Sequence, residues 1–142
     1  MNIQAILDTK GGEVYTVACD TPVRDAVAML AGRKIGALPV MKDERVVGIM
    51  SERDVIYCLE AEGAGVLDSP VERVMTSPII SAAPEMPILA GLGLMTERRI
   101  RHLPVVDGGR LVGLVSIGDL VKYRMDRIEA EAAALRNYIQ TA

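Results

Sequence analysis

The chain has no tryptophan and no phenylalanine, and four tyrosines supply all of its Phe/Tyr/Trp-type rings. Platforms on which unpaired bases stack are therefore scarce. With a net charge of -3 there is no basic footprint either, and nucleic acid is not an expected partner. There is a single histidine, His102, and the two cysteines, Cys19 and Cys58, form no pattern with it or with each other. Zinc-type spacing is absent and no metal site is expected. The cysteines read as two reduced thiols of a cytosolic protein. No apolar run approaches the roughly 18 residues of a membrane span. The N-terminal stretch Met1 to Asp8 has no basic n-region and no long apolar core, so no signal peptide is expected and a cytoplasmic location is. No nucleophile stands with a base, and no catalytic residue is nominated.

What is present is a duplication. The stretch Arg33 to Val40 returns as Arg98 to Val105, and Arg45 to Asp54 returns as Arg110 to Asp119, both 65 residues on and without a gap. A repeat fixes the unit of folding. A unit of about 60 residues is too small to bury a large core alone. Two copies packed face to face solve that problem and leave a cleft between like surfaces.

Each copy gives the same order of elements. A short apolar strand comes first, Val14 to Val17 and Ile79 to Ala82. A helix follows. Thr21-Pro22 offers a cap residue before a proline at the first helical position, and Met86-Pro87 repeats the proline with a poorer cap. Apolar residues recur at helical spacing: Val23, Ala26, Val27 and Leu30, then Ile88, Gly91, Leu92 and Met95. A hairpin comes next. Ala37–Met41 and Arg45–Met50 flank Lys42-Asp43-Glu44, while Leu103–Val106 and Arg110–Val115 flank the stronger turn Asp107-Gly108-Gly109. A second helix begins at Ser51 or Ser116. The expected fold is α+β: two repeats of β-α-β-β-α packed through their sheets, with a long C-terminal helix. The expected parts are repeat one at 7–60, a linker at 61–70, repeat two at 71–122 and a helical extension at 123–142.

This order, the apolar-Pro-Val start of each hairpin and the Gly-apolar-x-Ser-x-x-Asp at its end resemble the cystathionine-β-synthase (CBS) domain family. The resemblance runs from about Leu7 to Lys122. It implies a stand-alone tandem pair with up to two pseudo-symmetric sites for adenine nucleosides or nucleotides: AMP, ATP, NAD(H) or S-adenosylmethionine, with AMP foremost. No cofactor is required.

Ser51-x-x-Asp54 and Ser116-x-x-Asp119 admit two readings. One is a capping box. The other is a ligand seat: the helix N-terminus attracts phosphate, and a carboxylate one turn in accepts a ribose diol. In the family the aspartate grips the ribose and the hydroxyl residue lies near ribose or phosphate, roles that fall on Asp54 and Asp119 and on Ser51 and Ser116. Basic residues just before the Leu-Pro pair, used on phosphates in some members, fall on Arg101 and His102. Their copy-one equivalents, Gly36 and Ala37, carry no charge. The second site is thus expected to hold phosphate more strongly, and the first to rely on Arg53 with Lys10 as an extra. Adenine contacts by resemblance fall near Thr16 and Val17 in copy one and on Thr76, Ile80 and Ser81 in copy two. All of these also read as core or surface residues.

Beyond Asp119 the chain runs to Ile139 without proline or glycine, and Val121, Met125, Ile128, Ala132, Leu135 and Ile139 are spaced 4-3-4-3-4. That is a coiled-coil-like seam, which either folds back on its own pair or meets a second subunit. The expected function is a non-catalytic adenine-nucleotide sensor acting as a homodimer on an unidentified protein. The rival is an interaction adaptor with empty or degenerate clefts.

Overall fold

A computed structural model describes Met1–Thr141. Its element order is α1 (Ile3–Lys10), β1 (Val17–Ala18), α2 (Val23–Arg33), β2 (Ala37–Lys42), β3 (Arg45–Ser51), α3 (Glu52–Glu62), α4 (Ile88–Arg98), β4 (His102–Asp107), β5 (Arg110–Ser116) and α5 (Ile117–Thr141). Two short 3-10 turns, Ala64–Asp68 and Val71–Arg73, lie between α3 and α4. The fold is α+β, with a three-stranded sheet ordered β1-β2-β3 and a two-stranded sheet β4-β5. β1 runs parallel to β2, and β2 antiparallel to β3 with a bulge at Val40/Met41.

The helical periodicities match the buried faces, with Val27 and Leu92 at their half-buried margins. On α2, Val23, Ala26 and Leu30 are buried, and on α4, Ile88, Gly91 and Met95. Both helices end the same way. Lys34 and Arg99 adopt the left-handed conformation at φ 54, and the next N–H reaches back five residues, Ile35 to Leu30 and Ile100 to Met95. This closure satisfies carbonyls that the helix leaves open. The two hairpins turn on two residues at positive φ: Asp43 (51) and Glu44 (66), then Gly108 (57) and Gly109 (81). Such turns match the twist of the paired strands.

Three expectations need correction. The prolines are not at the first helical position. Pro22 and Pro87 are themselves the extended N-cap residues and make no side-chain cap. The strand expected at Ile79–Ala82 shrinks to one parallel bridge, Ala82 to Val105. Pro78 and Pro84 close off that stretch, since neither has an N–H for a ladder. In copy one only Val17 and Ala18 pair, and the preceding Tyr15 ring instead lies 4.0 Å from the Arg33 guanidinium. The stretch 61–70, expected as the linker, contains the turn Ala64–Asp68, which buries Val66.

The sequence reading also passed over α1. Asn2 caps it by accepting the Ala5 N–H at 3.2 Å, and Ile3, Ile6 and Leu7 form its buried face.

The chain divides into two compact units that do not follow chain order. One holds residues 1–12, 82–105 and 113 onward, and the other 13–81 and 106–112. The segment ahead of repeat one thus belongs with the bulk of repeat two. The segment at 71–81, ahead of α4, belongs with repeat one. In the unit of repeat one, Val23, Leu38, Val40, Met50, Val66 and Val71 make the core. In the other, Ile3, Ile88, Met95, Leu103, Val115 and Leu120 are fully buried.

Candidate functional site

Each copy builds a small station where the last strand of the hairpin meets its helix. In copy one, Gly48 on β3 makes room for a crossing segment. A Cβ at Gly48 would overlap Met75 Sδ and stand 3.0 Å from the Thr76 carbonyl oxygen. Without one, Thr76 pairs with Ile49 through both backbone bonds, N–H to O at 2.8 and 3.1 Å. That pairing aims the Thr76 hydroxyl at Asp54, to whose Oδ1 it donates at 2.9 Å. Oδ2 of the same carboxylate accepts from the Ser51 N–H at 2.9 Å and the Ser51 hydroxyl at 3.1 Å, while the Asp54 N–H donates to Ser51 Oγ at 3.4 Å. This is a reciprocal capping box. Gly36 lends its carbonyl to the Glu52 N–H at 3.1 Å, so the strand start is tied to the start of α3.

Copy two repeats the scheme with different chemistry. Gly113 on β5 leaves the space that Leu7 fills, for a Cβ there would meet Leu7 Cδ2 at 2.5 Å. The crossing element is α1, and it ends in Lys10. The Lys10 ammonium donates to the Leu114 carbonyl at 3.0 Å and to Asp119 Oδ2 at 2.6 Å. Asp119 Oδ2 also accepts from the Ser116 N–H at 2.8 Å, and the Asp119 N–H donates to Ser116 Oγ at 3.1 Å. The Arg101 carbonyl accepts from the Ile117 N–H at 2.8 Å, which fixes Arg101 at the N-terminus of α5. Partial burial pushes the Asp119 carboxyl up. The hydrogen bond from Lys10, the Ser116 amide, the Lys10 charge and the Ser116 hydroxyl together outweigh it, and the pKa lies below the usual carboxylate value.

Two expected placements are exchanged. Lys10, assigned to the first site, sits on Asp119 of the second. Thr76, assigned to the second, sits on Asp54 of the first. The physical reason is the crossing of the leading segments, each of which completes the other copy. Ile80, half-buried, and Ser81, exposed, fall in the unit of repeat one. Val17 and Ala37 are buried in the core, while Thr16 and Gly36 are half-buried. Arg53 and Arg101 are exposed at their helix starts, and His102 opens β4, half-buried. Gly48 and Gly113 open the duplicated Gly-apolar-x-Ser-x-x-Asp motif, and their role as the space for a crossing segment is what the motif alone does not tell, although a glycine inside a strand is a known sign of close backbone approach. Among the described residues no group of three or more His, Cys, Asp or Glu could hold a metal ion. None of the described helices is long and apolar enough to cross a membrane.

Two small units, each with a capped carboxylate at the start of its last helix, define a tandem-repeat module with paired stations. The family model for the CBS domain matches residues 7–61 and 71–126, and the chain belongs to the CBS-domain family. It is similar to the CBS domain-containing protein YhcV of Bacillus subtilis, at 31% identity over 135 residues and 95% of each chain. In structure it is similar to the CBS-domain containing protein ATU1752 of Agrobacterium tumefaciens, with TM-score 0.84 and 37% identity, covering 87% of this chain and 99% of that one. It is also similar to CBSX2, solved in complex with AMP, with TM-score 0.71 and 27% identity over 80% of this chain and 89% of that one.

Proposed function

We propose that this protein is a regulatory adenine-nucleotide sensor without a catalytic step of its own, acting as a homodimer, with AMP as its foremost ligand. The observation that carries this reading is the double station: a carboxylate, Asp54 or Asp119, held by a serine at the N-terminus of a helix. The positive end of that helix suits a phosphate, and the carboxylate suits a ribose diol. A relative solved with AMP supports the ligand class.

The second station is the phosphate-preferring one. Arg101 and Lys10 stand at or on it, and His102 follows Arg101 in the chain, whereas the first carries a neutral threonine hydroxyl on its carboxylate. Ribose at Asp119 shares Oδ2 with Lys10 or displaces it. Signalling then follows from differential affinity for two states of the protein.

Titration calorimetry with AMP and adenosine tests the reading. Asp119→Asn keeps the cap and removes the charge. Hydrogen bonds to a charged group contribute about 1.5–3 kcal/mol, so affinity at the second station should fall roughly tenfold or more. Arg101→Ala should weaken AMP more than adenosine, since only AMP offers a phosphate. No binding of AMP, ATP, NADH or S-adenosylmethionine to the wild type would leave the adaptor reading in its place.

A further inference from the structure

The last helix does not fold its seam back onto the protein. Leu120 is buried, but Val121, Met125, Ile128, Leu135 and Ile139 are between 40% and 65% exposed. These five residues, with Ala132 between them, lie on one stripe of a continuous 25-residue helix. An alternating 4-3 spacing is the pattern of a two-helix coiled coil, with Met125, Ala132 and Ile139 at the a positions and Val121, Ile128 and Leu135 at d. The flanking positions then follow. Arg124, Glu131 and Tyr138 take g, and Lys122, Glu129 and Arg136 take e.

These flanks identify the occupant of the seam and its direction. In a parallel, in-register pair each g residue faces the e residue five places on in the other helix. Arg124 then faces Glu129 of the second copy, and Glu131 faces Arg136 of the second copy, so both contacts between two charged residues join opposite charges. In an antiparallel pair with the same layers, g meets g and e meets e. Glu131 would face Glu131, Glu129 would face Glu129, and Lys122 would face Arg136. Flanking charges of this kind set partner and orientation. Among the described residues none of Arg124, Glu129, Glu131 and Arg136 forms an ion pair within the chain, while Lys122 already pairs with Asp126 at 2.9 Å. The mixed signs on the polar face also differ from the Lys/Arg-rich face of a helix lying on a membrane.

We infer that α5 is the site where a second copy of this chain docks, as a parallel, in-register two-stranded coiled coil through Val121, Met125, Ile128, Ala132, Leu135 and Ile139. The inference rests on the homodimer proposed above and adds its direction. Parallel pairing brings the C-termini of both copies to the same end and makes any two-fold axis run along the helices.

Disulfide trapping in the full chain tests it, in a Cys19→Ser, Cys58→Ser background checked for an unchanged melting profile. Leu135→Cys should give a same-residue cross-linked dimer under mild oxidation, and Ala130→Cys, on the outer face, should not. A mixture of Met125→Cys and Leu135→Cys chains that cross-links while Leu135→Cys alone does not would make the pair antiparallel and overturn the inference. A second test needs no cysteine change. Glu131→Arg should raise the dimer dissociation constant about tenfold, and adding Arg136→Glu should restore it. No loss with Glu131→Arg, or no rescue by the second change, also overturns it. Light scattering on the wild type separates the two readings. A monomer at tens of micromolar sinks the homodimer together with the coil, whereas a dimer that fails the trapping sinks only the parallel coil.

Discussion

The two stations are copies that differ in what covers the carboxylate. In the first, the Ile49 carbonyl takes the backbone N–H of Thr76 and Asp54 takes its hydroxyl. In the second, the Leu114 carbonyl and Asp119 are both served by one group, the Lys10 ammonium. A backbone bridge has been replaced by a single flexible side chain, and a neutral donor by a charge. The first cover is part of the folded backbone and cannot leave without breaking two hydrogen bonds of the bridge. The second is 40% exposed and can swing aside while α1 stays docked. The duplicated scaffold therefore supports one fixed station and one that a ligand can remodel.

What both covers share is the glycine beneath them, and its replacement should produce the largest effects. Gly48→Ala drives a methyl against Met75 and the Thr76 backbone, and Gly113→Ala drives one against Leu7. Overpacking of this kind costs about 1–3 kcal/mol, which lowers the melting temperature by roughly 2–4 °C per kcal/mol in a chain of this size. Gly48→Ala should be the worse of the two, because a backbone oxygen stands 3.0 Å from the new methyl and cannot rotate away as a leucine tip can. Equal melting curves for both variants would mean that the two crossings are packed alike.

Those glycines also show where sequence reading ends. Helix faces, hairpins and caps are local, and Val23, Ala26 and Leu30, or Ser51 and Asp54, announce themselves by spacing. The crossing of the leading segments is not local. Nothing in the period of residues 3–10 or 71–76 says which copy they complete, so Lys10 and Thr76 were each placed in the wrong one. The helix α1 was legible: Asn2 before Ile3, Ile6 and Leu7 is a cap followed by an i, i+3, i+4 face. The strand at Ile79–Ala82 looked sound by composition, but a strand needs partners, and only Ala82 finds one.

The hairpin turns offer a second, smaller contrast. Glu44 and Gly109 hold the same place, at φ 66 and φ 81. A side chain in the left-handed region is strained by roughly 1–2 kcal/mol, offset in part by the extra freedom that glycine loses on folding. Glu44→Gly should raise stability by about 0.5–1 kcal/mol, and Gly109→Glu should lower it by a similar amount. Urea denaturation of both variants checks the pair. A loss on Glu44→Gly would show that the copy-one turn is held by contacts of the glutamate itself.

The smallest expected effect separates the two covers by charge. The Asp119 carboxyl titrates below its usual value, with Lys10 among the causes that hold it down against burial. Its value in the unfolded chain is about 3.9, so the unfolded state binds protons first as the pH falls. The stabilisation from the pair is fully present above that unfolded value and is lost as the pH drops through the lower, folded one. The pair is partly exposed, so its contribution is about 0–1 kcal/mol and is screened by salt. Lys10→Met should therefore flatten the decline in stability between about pH 5 and pH 3, with the difference from wild type shrinking in 1 M salt. Thr76→Val, which removes a neutral donor, should lower stability by about 1 kcal/mol with little dependence on salt. Denaturation series at low and high ionic strength distinguish them. If Lys10→Met leaves the acid limb unchanged at low salt, the ammonium is not on Asp119 in solution, and the two stations differ less than their geometry implies.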